Sequence, residues 1–338
     1  MALVGIIANP ASGKDIRRLV AHALTIGNRE KANIVRRMLI GLHAVGIQEV
    51  YVMPDNFGIG AQAIHDLRQR QPDVISGVTI LDMDFAGSPI DSTRAARSLR
   101  EMGAGCLITL GGDGTARMVA KGCAEVPLLP VSTGTNNVLP QFIEGTLAGL
   151  AAGLVAQHGQ ADREQVCYRS KRLDVWVNGE IVDLALVDVA AVASAFAGSR
   201  AIWEPGMLRQ IAVTRASPAS IGLSAVVGLL QPISLLENFG AITTISANGL
   251  SRKVLAPVGP GLMAQVPVQE LIILEPNHPY PLVGERPLML ALDGEREITL
   301  QPGDEAALIL RTDGPWIVDA DRVLESATRN GWFISQAD

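Results

Sequence analysis

The chain reads as a wound α/β domain followed by a mainly β domain, and three observations predict this. From Leu3 to Val131, short apolar runs alternate with amphipathic stretches, the pattern of a parallel sheet covered by helices on both faces. From Arg172 onward the apolar period falls to two, the pattern of antiparallel strands. Three of the early apolar runs end in loops of small and polar residues.

In order, strands are predicted at Leu3–Ala8, Val50–Met53, Val78–Leu81, Cys106–Leu110 and Val126–Val131, where apolar residues run together. Helical spacing predicts helices at Asp15–His22, Lys31–Ala44, Ile59–Gln69, Ile90–Met102 and Ala116–Gly122. Asn137–Gln157 is expected to be helical and to lead into a polar linker, Gln157–Gln165. Arg172–Val177 alternates, Asn178-Gly179 is a strong hairpin signal, and Glu180–Val192 resumes as a strand. Further strands are expected at Ala241–Ser246, Arg252–Ala256, Glu270–Leu274, Leu288–Leu292, Glu297–Leu300 and Glu305–Leu310, with a helical insertion at Pro218–Leu230. Trp316–Arg329 reads as strand then helix. The expected division is an α/β domain over 1–145 and a β-rich domain over 165–315.

At 338 residues and 48% hydrophobic content, the chain can fill two cores. Cys106, Cys123 and Cys167 form no Cys-x-x-Cys pair, which argues against a zinc site or a disulfide framework and fits a reducing cytoplasm. A formal net charge of −6 and 4% aromatic content argue against a nucleic-acid surface. No basic leader precedes the first apolar run, so no signal peptide is expected. The apolar stretches 146–156 and 221–230 are too short to span a bilayer, so no stable membrane insertion is expected. The expected state is a cytoplasmic homo-oligomer. His22, His43, His65, His158 and His278 show no metal-ligand spacing.

The stretch Leu107-Ile-Thr-Leu-Gly-Gly-Asp-Gly-Thr-Ala-Arg-Met-Val-Ala120 carries the most chemistry. An apolar strand stops at Gly111-Gly112-Asp113-Gly114-Thr115 and a helix follows, so backbone N–H groups and a helix N-terminus are offered to an anion. Asp113 would repel phosphate as a mere binder; a carboxylate there suits accepting a proton from an attacking hydroxyl or holding Mg²⁺. Gly-Asp-Gly is also common turn chemistry. Val126-Pro-Leu-Leu-Pro-Val-Ser-Thr-Gly-Thr-Asn-Asn137 and Val4-Gly-Ile-Ile-Ala-Asn-Pro-Ala-Ser-Gly-Lys14 repeat the design, and three such loops beyond parallel strands describe one nucleotide cleft. The first is not a P-loop, because Ala8 stands where the first Gly belongs and Asp15 replaces the Mg²⁺-binding hydroxyl. Local cations for an anionic ligand would come from Mg²⁺, Lys14 or Arg117; a solvated Arg117 is an equally ordinary reading.

In order along the chain, Asn9-Pro10 with Ser12-Gly13, Gly111-Gly112-Asp113-Gly114-Thr115, Gly134-Thr135-Asn136-Asn137 and Leu292-Asp293-Gly294-Glu295 resemble the motifs of the NAD kinase and diacylglycerol/sphingosine kinase superfamily. With Arg200-Ala-Ile-Trp-Glu-Pro205, the chain looks most like the ATP-NAD kinase-like acetoin-catabolism protein X group. The resemblance implies a β-sandwich for the second domain and a tail, 316–338, that returns to the first. It implies ATP and Mg²⁺ as cofactors, with Asp113 as general base. Asn9, Ser12, Gly13, Gly111, Gly112, Gly114, Thr115, Gly134, Thr135 and Asn136 would hold the nucleotide. Asp293 and Glu295 would join the catalytic group, Asp293 with Asp113 on the metal, although Asp293-Gly294 reads equally as a hairpin turn. Trp203-Glu204-Pro205 would line the acceptor pocket.

NAD kinases carry an Asn-Glu pair that holds the dinucleotide, and Val187-Asp188 stands there in this chain, which speaks against NAD as acceptor. The expected function is therefore Mg²⁺-dependent, ATP-type phosphoryl transfer to a hydroxyl of a small soluble acceptor. The alternatives are a lipid kinase and a non-catalytic nucleotide-binding accessory protein.

Overall fold

The computed structural model describes residues 2–12, 26–134, 136–158, 163–193, 205–246 and 252–334, and three sheets carry its fold. The first sheet has the strand order Val78–Ile80, Glu49–Val52, Leu3–Ala8, Cys106–Gly111, Leu128–Ser132, Trp316–Val318 and Cys167–Arg169. Neighbours run parallel except the last, which is antiparallel to Trp316–Val318. The tail thus returns to the first sheet. Leu3–Ala8 pairs on one side with Glu49–Val52 and on the other with Cys106–Gly111, so the strand order reverses there. The crevice beyond the carboxyl ends of strands at such a reversal is where open α/β sheets bind ligands.

Helices Asn28–Ala44, Ile59–Arg70, Gly145–His158 and Ala320–Arg329 bury apolar residues on one face of this sheet, and Ile90–Glu101 and Asp113–Cys123 do so on the other. Leu139, Leu186 and Val187 join the second of these cores, so the β-rich part leans on the face that carries the glycine turn.

The β-rich part consists of two antiparallel sheets. One runs Arg252–Gly259, Leu262–Leu274, Gly240–Ile245, Leu208–Val213, Asp188–Val192, Leu288–Leu292, Glu295–Leu300; the other runs Pro279–Pro281, Ala306–Arg311, Arg172–Val177, Glu180–Ala185. Leu173, Val175, Leu290, Leu292, Leu308 and Leu310 belong to one core that draws on both sheets. Asn178-Gly179 makes the expected hairpin turn, with φ values of 53° and 87°. No helix among the described residues is long and apolar enough to cross a membrane.

Four local expectations change, each for a physical reason. Helix 145–158 begins well after Asn137, because Pro140 lacks an N–H and the N–H groups of Val138 and Leu139 are already taken by Asp113. The predicted strand Glu180–Val192 is two strands in different sheets, broken at Leu186-Val187. Pro218–Leu230 is helical only over Leu223–Gly228. Leu208–Val213, a central strand, was not expected because Arg209 and Gln210 interrupt its apolar run; Gln210 is buried and accepts from the Val283 N–H. The expected helix Asp15–His22 lies outside the described residues.

Candidate functional site

The three polar loops meet. The Asn9 N–H donates to Leu110 O at 3.0 Å and the Thr133 N–H to Gly111 O at 3.1 Å, so the sheet ladder itself carries the three strand ends together. Side chains tie them further: Asn9 Nδ2 donates to Thr115 Oγ1 at 2.9 Å, and Ser12 Oγ lies 3.0 Å from Thr133 Oγ1. Asn137 Nδ2 donates to Ser132 Oγ at 2.7 Å, which in turn donates to Gly134 O, shaping the third loop. Asn136 turns toward the β-rich part, with its amide 3.5 Å from where a Cβ on Gly222 would stand, and its Oδ1 is enclosed without a hydrogen-bond partner. Gly13, Lys14, Thr135, Arg200, Trp203 and Glu204 lie outside the described residues.

The glycine turn is crowded by the protein itself. Helix Asp113–Cys123 follows Gly112, which provides no side-chain cap. A Cβ on Gly111 would collide with Thr115; one on Gly112 would lie 2.8 Å from Asn137 Oδ1, and one on Gly114 2.5 Å from Glu295 Oε1. These glycines are needed for close approach by site side chains as well as by any ligand. Glu295 therefore reaches from the β-rich part onto the first turn of the glycine-loop helix.

Asp113 is 8% exposed, and its carboxylate accepts from the Val138 N–H at 3.0 Å and the Leu139 N–H at 2.8 Å. The same segment is gripped from the other side, where Arg215 Nη2 donates to Val138 O. Asp293 stands in the turn between Leu288–Leu292 and Glu295–Leu300, with φ 48°, and Gly294 follows at 82°. The turn and the side chain both have work: the carboxylate accepts from the Leu186, Val187 and Asp188 N–H groups at 2.8, 2.8 and 3.1 Å. That grip sits where the chain leaves one sheet for the other. Burial pushes Asp293 up to about 7; the Asp113 charge adds to this, while the Leu186 and Val187 N–H donors and Arg117 oppose it.

Arg117 departs from both sequence readings. It is fully buried, neither solvated nor turned outward to phosphate, and Asp183 Oδ2 lies 3.1 Å, Glu295 Oε2 3.7 Å and Asp293 Oδ2 4.0 Å from its guanidinium nitrogens. Asp183 also takes Lys121 Nζ at 2.6 Å. Burial would raise Asp183, yet Lys121 and Arg117 hold it below the usual carboxylate range. Asp183 and Arg215 escaped the sequence reading because each lies in a β-rich stretch with no motif around it. Only an isolated charge inside an apolar pattern could have marked Asp183.

Residues 4–159 match the family model of the ATP-NAD kinase N-terminal domain, and residues 171–313 that of the acetoin catabolism protein X C-terminal domain. The crystal structure of yeast NADH kinase complexed with NADH covers 100% of this chain and 89% of its own at TM-score 0.51 and 16% identity, a likeness of fold. Acetoin catabolism protein X of Cupriavidus necator is 38% identical over 335 residues, 97% of this chain and 93% of that protein. With an NAD kinase-type first half and that particular second half in one chain, the protein belongs to the acetoin catabolism protein X family.

Proposed function

We propose that the protein transfers a phosphoryl group from ATP to a hydroxyl of a small soluble acceptor, bound between a nucleotide-binding unit (1–145 with 316–338) and an acceptor-binding unit (165–315). The observation that carries this reading is the meeting of Glu295 with Gly114, which brings an acidic side chain of the β-rich part to the turn where the three strand-end loops converge. Asn9, Ser12, Gly111, Gly112, Gly114, Thr115, Gly134 and Asn136 are the groups assigned to the nucleotide, together with Gly13 and Thr135. Asp113 or the half-exposed Glu295 accepts the acceptor's O–H proton as the new O–P bond forms and the bond to the departing ADP oxygen breaks. Asp293 serves by position, fixing Leu186–Asp188.

Of the two carboxylates expected on Mg²⁺, Asp293 does not fit. Its side chain is fully enclosed and already accepts three N–H groups, and the described residues hold no cluster of three or more acidic, His or Cys side chains suited to a metal. The proposed proton transfer rests on protein groups. A second reading, nucleotide binding without turnover, draws support from the engagement of Asp113 by Val138 and Leu139.

Labelled ATP incubated with a panel of hydroxylated metabolites, acetoin among them, tests the proposal. Label on one acceptor supports it; tight ATP binding with neither transfer nor hydrolysis supports the accessory reading, and transfer only to diacylglycerol in vesicles supports the lipid-kinase reading. The proposed homo-oligomer draws on the exposed Leu255 and Met263 of the edge hairpin, and light scattering on the purified protein checks it.

A further inference from the structure

The acids around the glycine turn leave a question of charge. Asp113, Asp183, Asp293 and Glu295 gather near the turn, and Arg117 and Lys121 are drawn into ion pairs with them, so a phosphate placed there needs positive potential from elsewhere. Lys31 lies against the first of the three strand-end loops. It belongs to helix Asn28–Ala44, is fully buried, and donates from Nζ to Asn9 O at 2.8 Å, Ser12 O at 2.7 Å and Pro10 O at 3.4 Å. Those carbonyls belong to the loop whose side chains reach Thr115 and Thr133. The negative ends of these peptide dipoles are thus engaged by the ammonium, whose charge is held against the loop in a low-dielectric interior.

We propose that Lys31 is the positioning cation of the phosphate-holding loop: it fixes Asn9–Ser12 and offsets the charge of a polyphosphate ligand without touching it. This rests on the nucleotide reading given above. The molecule contains its own comparison. Lys171 is also buried and donates to three carbonyls, Ser234 O, Glu237 O and Phe239 O at 3.2, 2.7 and 2.8 Å, but these belong to a turn of the β-rich part and to none of the strand-end loops. A lysine that merely staples a loop behaves like Lys171. One that serves phosphate must do more.

The test measures binding of adenosine, AMP, ADP and ATP by calorimetry, in MgCl₂, to the wild type, Lys31→Met, Lys31→Arg and Lys171→Met. The expected result is a loss in Lys31→Met that grows with each phosphate, reaching roughly tenfold or more for ATP with adenosine nearly unchanged. Lys31→Arg keeps the charge and recovers much of the loss, whereas Lys171→Met melts earlier but keeps the wild-type ratio of ATP to adenosine affinity. If Lys31→Met does not fold, Lys31→Gln takes its place beside Lys31→Arg. An equal loss for adenosine and ATP, or none for ATP, overturns the inference alone. A wild type that binds none of the four ligands overturns it together with the nucleotide reading.

Discussion

The Leu139 N–H donates to Asp113 Oδ1 at 2.8 Å, so the carboxylate at the head of the glycine-loop helix also holds the start of the segment after the third loop. Asp113→Asn should therefore do two things. Oδ1 accepts from both Val138 and Leu139, so an amide with its oxygen there keeps both donors but loses the charge and sets an NH₂ against the Val138 N–H that Oδ2 also accepts, and the melting temperature should fall modestly. If Asp113 is the base, turnover on an identified acceptor should fall by about 10²–10⁴ as well. A folded variant with wild-type turnover removes Asp113 from the chemistry.

Gly114→Ala separates the site from the fold. The new Cβ meets the end of the Glu295 side chain, which can swing away, and alanine favours the helix by about 0.5–1 kcal/mol over glycine. Thermal stability should hold or rise while turnover drops. Gly149→Ala behaves oppositely, since its Cβ would strike the Met38 carbonyl in the backbone of helix Asn28–Ala44. Overpacking there should cost about 1–3 kcal/mol in urea unfolding, with ligand affinity unchanged in the folded fraction.

Asp293 gives stability a pH dependence of a particular sign. Its carboxyl is raised from 3.8 to about 7 on folding, so between these values the folded chain holds a proton that the unfolded chain has lost. Its contribution is complete below about pH 4 and is lost as the pH rises through about 7. The melting temperature of the wild type should fall relative to that of Asp293→Asn as the pH rises across this range. Curves that stay parallel would show that Asp293 ionises normally.

Arg117→Leu strands Asp183 and Asp293 in the interior with one cation fewer. Removing one partner of a buried ion pair costs about 3–5 kcal/mol, and denaturant titration should show a loss of that order. Asp183→Asn in the Arg117→Leu background should recover part of it; additive losses would mean the two side chains do not interact.

NAD should be a poor acceptor. Val187 is 1% exposed and its backbone is bound to Asp293, so no polar side chain stands where NAD kinases use asparagine. Loss of such partners costs about 10⁴ in selectivity. Rapid formation of NADP⁺ from NAD⁺ and ATP would contradict this.

The glycine turn and the strands beneath it were legible because phosphate-sized loops have a small alphabet and parallel strands are continuous apolar runs. The late acidic triplet could be located but not interpreted: Asp293 is both a turn residue and a buried acceptor, and its partners Leu186–Asp188 lie more than a hundred positions away. Lys31 was illegible and Arg117 misread as a cation for the ligand for a related reason. On a helical pattern each is a charged position with no sign of burial, and only tertiary contact turns it inward.

Trp316–Val318 stands between Leu128–Ser132 and Cys167–Arg169 in the first sheet. A ribosome works from the N-terminus, so both neighbours of this strand leave the exit tunnel long before the strand itself does. During most of translation Leu128–Ser132 is an open edge and Cys167–Arg169 has nothing to pair with, the condition in which nascent chains mispair or are met by chaperones. The sheet that carries the glycine turn is thus closed only after the whole β-rich part has been made, and a chain cut short before Trp316 would keep Leu128–Ser132 as an open edge.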